Sequence, residues 1–206
     1  IHSPLRVYQV GANRYSVSGT PADCVLYSLA EWFGETPPDL VLSGVNCGAN
    51  ISDSVQYSGT VGAVLSAHHM NIPAIALSQA YLNRDDVRWS PVETFAEAVI
   101  RRLYRPDQVL AWNVNFPACE AADITAARWC RQSNGSIQKP TLVAGRDARL
   151  GSTFVAIAAP SSSRVVHATA AEEPRHCCAG NNLPRHSVTL LSSPAAAALA
   201  RPACQR

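Results

Sequence analysis

Three short apolar runs, Leu40 to Leu42, Ile72 to Leu77 and Val109 to Phe116, alternate with two segments whose apolar residues recur every three or four positions. That alternation leaves few folds open. The order strand, helix, strand, helix, strand needs crossover connections, which are right-handed, and it yields a parallel sheet covered by helices on both faces. Ile72 to Leu77 is continuously apolar rather than alternating, as a strand buried on both faces should be. The expected fold class is therefore α/β, a Rossmann-like three-layer α/β/α arrangement around a mostly parallel sheet.

The helical segments can be placed by their spacing and their ends. Val61, Val64, Leu65 and His68 share the stripe of a helix running from Thr60 to about Met70, and Val92, Phe95, Ala96, Val99 and Leu103 mark a second. Ser90-Pro91-Val92-Glu93 predicts a capped start for the second, with Ser90 at the cap. Arg101, Arg102 and Arg105 gather at its far end, where the helix dipole favours cations. Ahead of this alternation, Leu5 to Val10 and Arg14 to Ser18 flank Gly11-Ala12-Asn13 as a hairpin. Thr20-Pro21-Ala22-Asp23 then opens a helix with Thr20 as its cap, and Gly34 and Pro37-Pro38 end it.

Composition bounds the function. A chain of 206 residues with 47% hydrophobic content buries a real core in one domain. Its formal net charge of +2 gives no reason to invoke nucleic acid or an anionic membrane. That balance hides an asymmetry: 7 basic and 10 acidic residues up to Pro117, then 10 basic and 5 acidic from Ala118 onward. Beyond Pro117 periodicity fades, except for short strands expected around Phe154 to Ile157 and Val188 to Leu191. We therefore divide the chain into a core, 1–117, and a divergent region, 118–206. Seven cysteines without a C-x-x-C pair indicate a reducing compartment, and His176-Cys177-Cys178 lacks the spacing of a chelating set. No apolar run approaches the roughly 20 residues of a membrane span, and no signal-like segment opens the chain. The cytoplasm is the expected location.

The chemistry is expected in the long Ser-, Gly- and Asn-rich connection after Leu42. Ligands of open parallel sheets bind beyond the carboxyl ends of strands, and connections longer than about twelve residues are uncommon unless functional. Gly59 and Thr60 enter a helix whose N-terminus offers N–H groups and partial positive charge to a phosphate, with the Ser58 and Thr60 hydroxyls at hand. The same Ser-Gly-Thr also makes an ordinary helix cap. Asn46 can offer a carbonyl oxygen to a hard cation such as Mg²⁺, or can simply serve the turn; Asp53 is a possible acidic partner. Asp85-Asp86 reads as a solvated loop and His68-His69 as a helix end. Gly44-Val45-Asn46-Cys47-Gly48 lacks the G-x-G-x-x-G spacing, which disfavours NAD.

Four segments in order, Gly19-Thr20-Pro21-Ala22-Asp23-Cys24, Pro38 through Asn50, Tyr57 through Ala63 and Ile72 through Ser78, closely resemble the survival protein SurE family of metal-dependent nucleotidases. Asn113-Val114-Asn115-Phe116-Pro117 resembles a later strand of that family. The resemblance implies a divalent-metal (Mg²⁺ or Mn²⁺) phosphomonoesterase that releases phosphate from nucleoside 5′- and 3′-monophosphates, assembled as a homodimer or homotetramer. It assigns Asn46 to the metal and Ser58, Gly59 and Thr60 to the phosphate. The family's metal also takes two consecutive aspartates at the end of a first strand and a serine from a following loop, and these have no counterpart here. The catalytic residues are therefore unknown in this chain. Because the sequence starts just before the family's P-L-R-V strand, at Pro4-Leu5-Arg6-Val7, we expect a fragment that lacks the first strands, leaves sheet edges and apolar helix faces uncovered and is impaired in catalysis. Arg146-Asp147-Ala148-Arg149 and His186 to Leu191 keep only faint likeness to later family elements, and a reading-frame disruption after roughly Pro117 is expected. The alternative is a non-catalytic remnant that binds phosphate or oligomerises.

Overall fold

The hairpin forms as expected. In the computed structural model, which describes residues 4–130 and 132 and the strands Thr141–Arg146, Thr153–Ala158 and Ser187–Ser192, β1 (Val7–Gly11) pairs antiparallel with β2 (Arg14–Val17). Asn13 takes the turn at φ 54°, a conformation Asn tolerates. α1 (Pro21–Glu31) starts on the expected capping box. Thr20 Oγ1 accepts from the Asp23 N–H at 3.2 Å, and the Asp23 carboxylate accepts from the Thr20 N–H at 2.8 Å.

The elements that follow are β3 (Val41–Cys47), α2 (Ser54–Tyr57), α3 (Gly59–His69), β4 (Ala74–Gln79), α4 (Ser90–Leu103), β5 (Ala111–Phe116), β6 (Ile124–Cys130), β7 (Thr141–Arg146), β8 (Thr153–Ala158) and β9 (Ser187–Ser192). β3, β4, β5, β9 and β6 lie side by side in that order; the first four run parallel and β6 antiparallel to β9. β7 and β8 form a separate hairpin. The strands expected near Phe154 and Val188 are β8 and β9. β6 and β7 carry no strong alternation of their own and were not legible; β6 is held by pairing with β9.

Strand β4 is buried at all six positions, and its alternation sorts the core. Ala74 and Ala76 join Leu29, Val55, Val61, Val64 and Ala67 on the face covered by α1 and α3. Ile75 and Leu77 join Val92, Leu103, Val114 and Phe116 on the face covered by α4. Small residues under α3 and large ones under α4 fill the two layers differently. Among the described residues β3, at the sheet's end, has a partner on one side only, and its Leu42 and Val45 are 50% and 40% exposed. The edge expected to be uncovered is thus an apolar one.

Two expectations need correction. Ser90 is not a cap: α4 begins at Ser90 itself, Trp89 holds the cap position without a side-chain bond, and the Ser90 hydroxyl is spent on β5's exit instead. It donates to Glu120 Oε2 at 3.0 Å and accepts from the Ala121 N–H at 3.2 Å. Nor does the strand after Pro38 stop at Leu42. Register shifts between Ser43 and Asn46, where Gly44 has φ 135°, and pairing then resumes as Asn46 to Ser78 and Cys47 to Gln79. Pairing with β4 overrides the weak strand preference of Ser-Gly-Val-Asn.

The Thr20 backbone N–H, and after it the Thr20 hydroxyl, holds the Asp23 carboxyl below its usual value. A lowered folded pKa adds stability that is fully present above the unfolded value of about 4 and is lost as pH falls through the folded one. Thr20→Ala should lower unfolding free energy by about 1 kcal/mol in urea titrations at pH 7. Asp23→Asn should flatten the decline of the melting temperature below about pH 4.

Candidate functional site

The connection from β3 to α3 crosses the carboxyl end of the sheet, and its polar residues hold it there. Asn113 and Asn115 lie two apart on β5, on the face opposite Val114 and Phe116, and Ser78 continues the small-residue face of β4. All three are buried, as is Asn50 on the connection. Asn115 Oδ1 accepts from the Asn50 N–H at 2.8 Å, and its Nδ2 donates to the Asn50 carbonyl at 3.1 Å. Asn113 Nδ2 donates to the same carbonyl at 2.8 Å, and Asn50 Nδ2 donates to Ser78 Oγ at 2.9 Å. Buried polar groups left unpaired are costly, so the network fixes this segment. None of these four was singled out from the sequence, although paired Asn residues inside an apolar run were a usable signal.

Asn46 sits near the end of β3, half-buried, with its Nδ2 donating to the Gly48 carbonyl at 2.7 Å. That leaves the amide's carbonyl oxygen as the group it can offer a cation. Gly48, at φ 122°, donates its N–H to the Gln79 carbonyl at 2.8 Å and turns the chain off the sheet. The connection then contains the helix α2, absent from the sequence reading, whose Val55 plugs the core at 3% exposure.

Ser58 caps α3: its Oγ accepts from the Val61 N–H at 3.2 Å, and its carbonyl from the Gly62 N–H at 2.8 Å. The N–H groups of Gly59 and Thr60, ahead of these bonds, are the ones a helix start presents to a ligand. Thr60 is buried at 8% exposure. Gly59 has a packing reason as well, since a Cβ there would come within 3.1 Å of Pro21 Cδ. The starts of α1 and α3 therefore meet. Asp23 already neutralises the α1 start, whereas the first turn of α3 carries no acidic residue and keeps its partial positive charge.

Asn46 and the Ser58 to Thr60 start thus lie at one end of the sheet, joined by a fixed connection, with no hydrogen bond between them among the described residues. Asp53 precedes α2 without a capping bond. Asp85 and Asp86 are exposed in a turn folded on Asn83. His68 and His69 occupy the last turn of the 11-residue α3, about 14–15 Å from its start at 1.5 Å per residue, and so stand away from the candidate site. No group of three or more His, Cys, Asp or Glu side chains able to hold a metal occurs among the described residues. His176-Cys177-Cys178 and Asp147 to Arg149 lie outside them. Burial raises the Cys24 and Cys119 thiols above their usual value, which disfavours either as a nucleophile.

The sequence model of the family described as survival protein SurE matches residues 1–139. The chain is 42% identical over 151 residues to 5′-nucleotidase SurE 1 of Burkholderia lata, covering 72% of this chain and 58% of that protein. It is 45% identical over 139 residues to 5′-nucleotidase SurE of Paramagnetospirillum magneticum, covering 66% and 54%. The chain thus spans little more than half the length of these relatives. The crystal structure of the SurE protein from Aquifex aeolicus superposes with a TM-score of 0.61 at 26% identity, covering 93% of this chain and 75% of that one.

Gly44, at φ 135°, sets the bend between Ser43 and Asn46, and a Cβ there would run into the Leu77 carbonyl. Gly44→Ala should cost at least roughly 1–3 kcal/mol from backbone strain, read as a lower urea midpoint with an unchanged m-value.

Proposed function

This chain belongs to the survival protein SurE family, and on that premise we propose that it forms the phosphate-holding part of a divalent-metal-dependent phosphomonoesterase acting on nucleoside 5′- and 3′-monophosphates. The observation that carries the reading is the pairing of the β3 end, with Asn46, and the capped α3 start, with Ser58, Gly59 and Thr60, at the carboxyl edge of one parallel sheet. The relatives' names, 5′-nucleotidase SurE, support the substrate class.

In this reading the N–H groups of Gly59 and Thr60 and the Ser58 hydroxyl donate to oxygens of the phosphoryl group. Their contribution grows as negative charge builds on those oxygens, because preorganised donors need no rearrangement at the moment of reaction. Thr60, buried at the helix start, orients the group. Asn46 would offer its carbonyl oxygen to Mg²⁺ or Mn²⁺, which when bound supplies charge neutralisation and an activated water. Such an ion takes about six oxygens, one or two from carboxylates, so Asn46 with the described residues does not complete its site. We therefore assign metal-dependent turnover to a longer gene product, with impaired activity in this chain. A cytoplasmic homodimer or homotetramer, and the division into a core, 1–117, and a divergent region, 118–206, belong to the same proposal.

A non-catalytic phosphate-binding or oligomerising remnant is the second reading, favoured by the short donor set and by the exposed apolar edge at Leu42 and Val45. Calorimetry of the 206-residue chain with inorganic phosphate, with and without Mn²⁺, separates the two: metal-independent binding without turnover supports the remnant.

The full-length gene product should release phosphate from nucleoside monophosphates with Mn²⁺ and stop on addition of chelator. Asn46→Ala should raise the Mn²⁺ concentration for half-maximal rate by roughly tenfold or more. An unchanged metal response in that variant removes Asn46 from the metal.

A further inference from the structure

We infer that Asn115 is a positioning residue for the phosphate site: from β5 it grips the peptide of Asn50 on both sides and so sets the path of the chain between Asn46 and Ser58. The inference rests on the phosphate-binding reading above. Asn115 is 2% exposed and Asn50 6%, so neither side chain serves solvation. The Asn115 carboxamide accepts from the Asn50 N–H at 2.8 Å and donates to the Asn50 carbonyl at 3.1 Å. That reciprocal pair is what a neighbouring antiparallel strand would offer a residue, here supplied by one side chain. Among the described residues the connection has no strand partner at this point, and the carboxamide stands in for one.

The placement of the grip argues for positioning beyond simple support. Val55 anchors the later half of the connection in the core, and α3 begins directly beyond it. The earlier half, from Gly48 to Ser52, has no comparable apolar anchor. Polar bonds hold it instead: Asn46 Nδ2 on the Gly48 carbonyl, the Gly48 N–H on Gln79, Ser54 on Ile51, the Val55 N–H on the Ser52 carbonyl, Gln132 Nε2 on that same carbonyl at 3.1 Å, and at Asn50 the two-sided grip of Asn115, which Asn113 reinforces at the carbonyl alone. Asn50 is fixed at its side chain too, through Ser78, so its peptide has one orientation. Loosening the clamp frees the connection between Asn46 and the Ser58 cap while leaving both apolar layers filled.

The test uses the difference between an amide and a carboxyl. Asn115→Asp is isosteric, but an ionised carboxylate only accepts, and it repels the Asn50 carbonyl that the amide served. Burial raises the pKa of such a carboxyl, and once protonated it can donate again. Calorimetry of the full 206-residue chain with inorganic phosphate, run on wild type and variant from pH 8 to pH 5 below both melting temperatures, reads the ratio of their Kd values. The ionisation of phosphate itself cancels in that ratio. The expected result is a ratio of roughly ten at pH 8 that falls toward one as the pH drops. Faster amide exchange confined to residues 48–53 should accompany it. A ratio near one at every pH, with only the melting temperature lowered, overturns the inference and leaves the phosphate site standing. No phosphate binding by the wild-type chain overturns both. Should Asn115→Asp fail to fold at pH 8, Asn115→Ser removes the two-sided grip on Asn50 without adding a charge: a Kd raised severalfold supports the positioning role, and an unchanged Kd overturns it.

Discussion

Everything in this fold hangs on β4, a strand with no exposed face. Because its side chains alternate between two helix layers, each substitution there is felt by α3 or by α4, and its backbone pairs with β3 on one side and β5 on the other. The alternation of Ala with Ile and Leu lets α3 come close to the sheet while α4 stands over bulkier side chains. At the strand's carboxyl end the same alternation turns polar, and Ser78 appears on the α3 face just where the apolar layer gives way to the loop network.

The core α/β arrangement was legible because it rests on local signals that tertiary structure reinforces. The continuous run at Ile72 to Leu77, the three-four spacing in α3 and α4, and the capping box at Thr20 and Asp23 each point the same way as the final packing. Failures occurred where a nonlocal bond took over a local group. Ser90 looks like a cap in sequence, but Glu120 and Ala121, brought close by β5, claim its hydroxyl. The continuation of β3 through Gly44 depends on β4 lying alongside, which no window of sequence reveals. β6 is a strand because β9 pairs with it.

The site was legible in part for the same reason. Ser58, Gly59 and Thr60 announce a helix start by themselves, whereas Asn46, which looks like a turn residue in the sequence, lies in β3 paired with Ser78. The buried amides could not be read as a unit, since Asn50 bonds to residues 65 and 63 positions away. The structure also gives Gly59 a second role that sequence hides, the close passage of Pro21. That contact makes the two helix starts a single structural corner, in which Asp23 serves the start of α1 while the first turn of α3 carries no acidic residue.

The exposed edge at β3 carries a consequence for handling. Among the described residues nothing pairs with the outer side of β3, and such an edge, flanked by Leu42 and Val45, is a template on which another extended chain can add. Loss of dispersed protein by that route is a bimolecular process, whereas unfolding is unimolecular. Diluting a preparation therefore lengthens its working life without altering its melting temperature, and two stocks of identical thermal stability will age at different rates if their concentrations differ.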